Sequence, residues 1–271
     1  MSGRISLILV LAAVQGCGPT SNINSREARE TVEAIIVGGE GEGLVTELIE
    51  ISTNFSLGVP VEDAAVELGD WYRTEIPCAS VAVDGATVNV DFGADGSCVY
   101  RDNSYGGVVT ITVLSTVDNA VQIDMTWTGI ASRGLTLDGT AQVTWSGSGG
   151  GHTREVVHEI SWTRADGSTV QATGTRLQAL LVASEGLSAG LVVSGSRNWS
   201  HGGDWHVAIN DIEISGLDPV PLAGGYTVLT PHNKEFEISF DLNEDDTIHV
   251  VISGNIQSYS YNVTHEGEIV E

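Results

Sequence analysis

The feature that most constrains the fold is an alternation of apolar and polar residues that runs from about residue 70 to residue 265. Successive side chains of a β-strand point to opposite faces, so a two-residue period predicts strands with one buried and one solvated face. Turn residues separate these segments at short intervals, and no helical period interrupts them. We therefore expect a mainly β protein with one antiparallel β body at 70–265, arranged as a meander or sandwich-like. Parallel α/β folds are excluded because they need crossover helices.

The strand limits follow from the same pattern. A two-residue turn at 84–85 forms the first hairpin and is expected to place Val81 opposite Val88. The later strands are expected at 135–145, 154–164, 168–180, 190–199, 205–214, 225–229, 235–241, 247–253 and 256–263. A short tail at 266–271 follows the body.

Residues 25–69 have a helical period instead. Three short helices are expected at 25–37, 44–55 and 60–68, the first capped by Ser25 and stopped by Gly38-Gly39. Their apolar stripes need a surface to cover, so we expect them to pack on the β body. Glu40 and Glu42 fall between the first two helices and are expected in a solvated loop.

The first seventeen residues have the composition of an export signal. Arg4 precedes an apolar run of ten residues, 5–14, which is too short to span a membrane because about 20 residues are needed. The sequence Val-Gln-Gly-Cys at 14–17 then resembles the lipobox of bacterial lipoproteins. That resemblance implies a signal peptide at 1–16, cleaved after Gly16, and an acylated Cys17. The polar, turn-rich residues that follow predict a flexible tether at 17–24. Ordinary secretory cleavage nearby, which would leave Cys17 a spare thiol, is the alternative.

The charge of the chain excludes nucleic acid as a partner. Eleven Lys and Arg residues face 36 Asp and Glu residues, which gives a net charge of −25. So few cations cannot neutralise a run of phosphates. The same charge repels anionic lipid headgroups, so we expect the membrane to be bound through acyl chains and not through a basic patch.

Cys78 and Cys98 remain once Cys17 is assigned to lipid. Both lie in the exported part of the chain, where an oxidising compartment favours a disulfide. A bridge that closes about twenty residues contributes roughly 3 kcal/mol in the chain-entropy model. Two buried free thiols are the alternative, and a metal site lacks a nearby His or third Cys.

Three side chains with carboxylate or amide oxygens are candidate calcium ligands. Asp241, Asn243 and Asp245 offer alternate oxygen ligands, as the start of a calcium loop does. However, Asp246 occupies the position that needs glycine in an EF-hand, and the flanking segments are strands. A solvated hairpin turn is the alternative interpretation.

Two tryptophans are candidates for a carbohydrate-binding site. Trp199 and Trp205 lie on opposite arms of a glycine hairpin near its tip, where they could form a stacking platform for a sugar ring. Packing of the hairpin base is the alternative. Solvent exposure of the two indoles distinguishes these interpretations.

Several segments together resemble a group of uncharacterised all-β lipoproteins of Gram-negative bacteria. They are Val88–Cys98, Gly107–Val113, Leu137–Thr144, Ile160–Gly167 and Pro221–Val228. The resemblance implies a lipid-anchored envelope protein with Cys78 and Cys98 as its structural pair, and it implies no known activity. Gly18 stands where an aspartate often retains lipoproteins in the inner membrane, so the resemblance favours the outer membrane.

Catalytic motifs do not emerge from the sequence. No serine sits in a Gly-x-Ser-x-Gly elbow, and with 36 acids some carboxylate pair always lies at a workable distance for glycoside hydrolysis. We expect a lipid-anchored envelope protein with a structural or binding role, no enzymatic activity, no cofactor, and an envelope protein or polysaccharide as partner. The alternatives are a carbohydrate-binding or carbohydrate-processing module that uses Trp199 and Trp205, and a calcium-dependent surface adhesin.

Overall fold

Strands make up most of the chain after residue 80. The computed structural model describes residues 21–52, 59–101, 103–116, 120–148, 151–181, 190–215 and 218–270. Helix α1 spans Ser25–Ile51 and helix α2 spans Val61–Glu75. The strands that follow are β1 Ser80–Asp84, β2 Thr87–Asp91, β3 Cys98–Tyr100, β4 Asn103–Ser115, β5 Ala120–Ser132, β6 Leu135–Ser148, β7 Gly151–Thr163, β8 Thr169–Leu180, β9 Leu191–Ser200, β10 Asp204–Ile214, β11 Ala223–Leu229, β12 Glu235–Leu242, β13 Ile248–Ser253, β14 Ser258–Val263 and β15 Ile269–Val270.

These strands form one antiparallel sheet. They pair in chain order, except that β2 lies beside β4 and the short β3 pairs with β4 off the main path. This confirms the predicted mainly β antiparallel body with helix at its N-terminus. Each strand from β6 to β14 begins and ends within three residues of its predicted limits. Strand β15 pairs with β14, so the predicted tail at 266–271 contains a short strand.

The first hairpin has a different register from the predicted one. Val81 lies opposite Val90, and the turn occupies 85–86 because Gly85 takes the positive φ of 55° at its first position. The sequence argument had placed Asp84 there. The register differs by two residues, which keeps Val81, Val88 and Val90 on one face. The predicted face is therefore right and the predicted partner is wrong.

Helix α1 is continuous where two helices were predicted. Its N-cap is Asn24, not Ser25, and the Asn24 side chain accepts from the backbone amides of residues 26 and 27. The glycines that were predicted to stop the helix lie inside it, because strand residues and the β10–β11 loop pack directly on this part of the helix. A Cβ on Gly38 would lie 2.9 Å from the Trp199 ring, one on Gly39 would lie 2.7 Å from the Pro219 carbonyl oxygen, and one on Gly41 would lie 2.5 Å from the Trp162 ring.

The sheet curves around α1, and the core lies between them. Seventeen of the 27 residues of α1 are buried, more than one amphipathic stripe would bury. Polar contacts reach the helix from widely separated strands: Tyr105 of β4 bonds to Glu47, and Tyr261 of β14 donates to the carbonyl oxygen of Ser25. The apolar face of one sheet is thus covered by a helix and not by a second sheet. Neither described helix is long and apolar enough to cross a membrane.

Helix α2 is longer than predicted. It continues past residue 68 to Glu75 because Leu68 and Tyr72, four residues apart, extend its buried stripe. It packs on β1, β2 and β4, and the Tyr72 hydroxyl lies 2.9 Å from the Ser52 hydroxyl at the end of α1. The β body therefore begins at Ser80 and not at residue 70.

Candidate functional site

The predicted cysteine roles divide between described and undescribed parts of the chain. Cys17 lies outside the described residues, so its acylation stays a prediction. Cys78 and Cys98 are disulfide-bonded, with their Cα atoms 5.2 Å apart. The bond ties the segment after α2 to β3, and the side chain of Cys98 is buried.

The candidate calcium ligands form part of the β12–β13 hairpin. Asp241 lies in β12 opposite His249, while Asn243 and Asp245 turn the chain. The Asp245 carboxylate accepts from the Thr247 hydroxyl at 2.6 Å and from the Thr247 amide at 3.2 Å, and these bonds hold the pKa of Asp245 below its usual value. Asn243 donates to the same hydroxyl at 2.9 Å. The Asp245 carboxylate and the Asn243 amide nitrogen thus stabilise the turn.

The rings of the two tryptophans stack face to face and do not form one exposed surface. Trp199 lies opposite Trp205 in the β9–β10 hairpin, and their rings stack with centroids 5.7 Å apart and planes 6° apart. Trp199 is only 2% exposed because it also presses on α1 at Gly38. Trp205 is half-buried and donates its Nε1 hydrogen to the His201 carbonyl oxygen at 3.0 Å. A sugar platform needs exposed rings, so the two-tryptophan platform is wrong and the packing interpretation describes this pair.

A different feature offers a concave polar surface. A groove of about 1150 Å³ crosses the outer face of strands β6 to β11 beside the β9–β10 and β11–β12 turns, and we call it the outer groove. Leu229, which lies opposite His206 and shares its face, lines it near these turns. Its main polar residues are Asp138, Glu159, Gln171, Thr173, Asn198, Asp204 and His206.

Sheet register aligns four of these side chains in one row. Glu159 lies opposite Thr173, Thr173 opposite Asn198, and Asn198 opposite His206 in successive strands. Because the side-chain period of a strand is two, all four point away from α1. The Asn198 amide donates to the Thr173 hydroxyl at 3.4 Å, and its oxygen contacts Nδ1 of His206. Antiparallel pairing therefore fixes the spacing of these groups before a ligand arrives.

The outer groove is acidic and has uncommitted polar groups. Asp138, Glu159 and Asp204 contribute carboxylates, and neither Lys nor Arg is among the described residues that line it. Within the described chain, Glu159, Gln171 and Asp204 make no side-chain hydrogen bond or ion pair. Carboxylates accept and an amide both donates and accepts, which suits a ligand rich in hydroxyl groups. An anionic ligand would be repelled.

The three carboxylates of the outer groove lie in solvated surroundings. A general acid needs a carboxyl group in apolar surroundings, whereas the side chains of Asp138, Glu159 and Asp204 are exposed to water. No three metal-ligating side chains come together anywhere in the described ranges. The arrangement can hold a polar molecule by hydrogen bonds.

Sequence reasoning missed a buried set of charges between α1 and the sheet, which we call the interior charge cluster: Glu42, His158, Arg176 and Arg197. The Glu42 carboxylate lies 2.8 Å from Nη1 of Arg176 and 2.8 Å from Nε2 of His158. Burial alone would raise the pKa of Glu42, but the charges of Arg176, His158 and Arg197 hold this pKa well below its usual range. The prediction that Glu42 lies in a solvated loop is therefore wrong. Glu42 is a buried ion-pair partner inside α1.

A signal for this cluster is present in the sequence. His158 alternates in phase with the apolar Val156 and Ile160, so β7 places it on the inner face. Arg176 and Arg197 occupy inner-face positions of β8 and β9 in the same way. Charged residues at apolar positions indicate a buried partner.

Glu40 was also assigned to a solvated loop, and the structure corrects this. Its carboxylate pairs with Arg164 through two contacts, of 2.8 and 3.0 Å. Both side chains are partly buried.

Comparison of the chain with protein-family models, with curated proteins and with solved structures found no match.

Proposed function

We propose that this chain is a lipid-anchored protein of the bacterial cell envelope that binds a neutral oligosaccharide in the outer groove. The bound ligand is not chemically changed. The observation that carries the proposal is the aligned polar row of Glu159, Thr173, Asn198 and His206 on the rigid outer face of the sheet. A site built on strands presents its groups with little loss of conformational freedom on binding.

The charge of the groove selects the ligand class. Asp138, Glu159 and Asp204 have exposed carboxylates, and the described part of the lining contains no Lys or Arg, so phosphorylated or carboxylated ligands are disfavoured. Hydroxyl groups can both donate to these carboxylates and accept from the Gln171 amide. Leu229 lies opposite His206 on the same face and is 37% exposed, so it adds apolar surface beside the polar row.

A binding experiment tests this part of the proposal. The full chain is titrated with neutral, acidic and basic oligosaccharides, and heat is measured by calorimetry. We expect neutral glycans to bind, and Asn198→Ala to weaken that binding by about 2- to 10-fold, since one hydrogen bond contributes about 0.5–1.5 kcal/mol.

A matched variant shows whether the effect belongs to the groove. Asn210 lies on the outward side of β10 outside the groove, and its amide bonds to Thr227, so Asn210→Ala removes a similar group elsewhere. Binding should survive this change. Absence of binding to every neutral glycan, or equal losses in both variants, would sink the proposal.

The anchor rests on the sequence at Cys17 and is tested separately. Cells are grown with an alkyne-bearing palmitate analogue, and the chain is captured and tested for label. We expect the wild-type chain to be labelled and Cys17→Ser to be unlabelled, because the thioether forms on the cysteine sulfur. Equal labelling of both, or of neither, would show that the chain is held in the envelope by other means.

A further inference from the structure

A small cavity lies between α1 and strands β8 to β11. Its volume is about 40 Å³, and Arg176 and Arg197 line one part of it. Much of the remaining wall is apolar and buried, and is formed by Val193, Ile209, Ile212 and the ring of Tyr226. The cavity is separate from the outer groove, which lies on the opposite face of the sheet.

The two guanidinium groups have more donors than the protein accepts. Nη1 of Arg176 contacts Glu42 and Thr46, and Nη1 of Arg197 donates to the Gly38 carbonyl oxygen at 3.3 Å. Nε and Nη2 of both arginines have no hydrogen-bond acceptor within the described chain, although both side chains are only 4% exposed. Four buried N–H-bearing atoms therefore face the interior without a partner, which is costly unless something else accepts from them.

The charge around the cavity is also unbalanced. Arg176 and Arg197 carry two positive charges against the single carboxylate of Glu42. Asp218 also lines the cavity, but its carboxylate is paired with His265 at 2.8 Å. The Arg197 guanidinium lies over the rings of Trp199 and Tyr226, 5.0 and 5.4 Å from their centroids, which offsets part of its charge but leaves its Nε and Nη2 donors without an acceptor in the described chain. A water molecule would satisfy these donors but not the remaining charge.

We propose that this cavity binds one small monovalent anion, chloride, held by the unpaired guanidinium donors of Arg176 and Arg197. A cavity of about 40 Å³ accommodates about three water-sized spheres, which suits a compact anion. The excess of a single charge matches a monovalent ion. Apolar walls favour a weakly hydrated halide over fluoride, because fluoride loses more hydration on entry. The bound ion joins α1 to β8 and β9 from inside the fold.

Thermal melting of the full chain tests this in solution. Chloride is exchanged for fluoride at constant ionic strength, so that screening of the −25 net charge does not change. Ligands that bind only the folded state raise the melting temperature with concentration. We expect the melting temperature to rise with chloride and with bromide, and this rise to disappear in Arg197→Met.

Arg164→Met is the matched control. Arg164 also contacts α1, through Glu40, but does not line the cavity, so its chloride response should match the wild type. Crystals of the wild-type chain soaked in bromide give a second readout that does not depend on any variant folding. We expect an anomalous peak between the two guanidinium groups.

Three results would overturn the proposal. The first is a cavity with water and no bromide, and the second is a chloride response that Arg164→Met and Arg197→Met lose equally. The third is a bromide peak without any chloride dependence of the melting temperature, which would mean binding at crystal concentration only.

Discussion

At Glu42, burial and charge act in opposite directions on a single residue. Removal from water favours the neutral acid, but two guanidinium groups and an imidazole surround the carboxylate and keep it ionised. A buried ion pair usually stabilises the folded state no more than well-packed apolar residues in its place would. Removing only one partner is costly, because the other charge is then buried without a counter-charge. Removing the Glu42 carboxylate should therefore lower the free energy of unfolding by more than the ion pair contributes relative to apolar residues.

We predict that Glu42→Gln lowers the free energy of unfolding by about 3–5 kcal/mol, as when a buried pair is broken. The change keeps the shape of the side chain and removes its charge, so Arg176 loses its anionic partner. Urea denaturation at neutral pH measures the loss. Glu33→Gln on the same helix is the control, because its ion pair with Arg29 is exposed and should contribute under about 1 kcal/mol. Equal small losses in both variants would contradict this account.

The same residue predicts a pH dependence. The pKa of Glu42 is lower in the folded chain than its unfolded value of 4.5, so the stability it contributes is present above pH 4.5 and is lost as pH falls toward the folded pKa. The gap in unfolding free energy between the wild type and Glu42→Gln should therefore be constant between pH 7 and pH 5.5 and shrink at lower pH. Urea titrations across this range measure it, and a gap that widens in acid would refute the sign.

Among the elements, α1 shows where local sequence rules fail. Glycine is a poor helix former, by about 1 kcal/mol relative to alanine, so Gly38-Gly39 predicts a helix end. Tertiary packing reverses this preference, because Trp199 and Trp162 of the sheet and Pro219 of the β10–β11 loop occupy the space that a Cβ would take. Contacts of this kind join residues more than a hundred positions apart, and no local pattern reveals them. The strands, by contrast, follow from alternation alone.

We predict that Gly41→Ala destabilises the chain, although alanine is the better helix former. The added Cβ would lie 2.5 Å from Cδ2 and Cε3 of Trp162, and overpacking of this kind costs about 1–3 kcal/mol. Combining it with Trp162→Leu should reduce the cost of the added methyl group, and a double-mutant cycle by urea denaturation measures that coupling. If Gly41→Ala raises the stability, the close approach of helix and strand does not exist.

The disulfide gives a prediction for the α2–β3 connection. Cys78 and Cys98 are 20 residues apart, and cross-linking such a loop stabilises by roughly 3 kcal/mol through the unfolded state. Replacing both with serine should lower the unfolding free energy by about this amount. Reduction of the wild-type chain is the matched comparison and should give a similar loss. A double variant as stable as the oxidised wild type would show that the bridge does not constrain the unfolded chain.

At the scale of the whole molecule, the sequence predicts the components better than their assembly. The limits of β6 to β14, the antiparallel order and the N-terminal position of the helices follow from periodicity and turn residues. The curvature of one sheet around α1 does not, because it depends on which inner-face residues meet the helix. The outer groove was missed for the same reason: Glu159, Thr173 and Asn198 are ordinary outward residues until register aligns them.

This architecture makes α1 part of the core of the β body, and the final prediction tests that dependence. A chain that starts at residue 59 lacks α1, so the apolar inner face and the charges of Arg154, Arg176 and Arg197 would face water or collapse without partners. We expect it to lack the near-ultraviolet circular dichroism of a packed core and to show no cooperative thermal transition. A chain that starts at residue 21 keeps the contacts of Ser21 with residues 235 and 255 and should unfold in one transition. Adding a peptide of residues 21–52 to the shorter chain should restore the signal, because the helix supplies the missing surface. A cooperative transition of the shorter chain by itself would show that the sheet closes its core without α1.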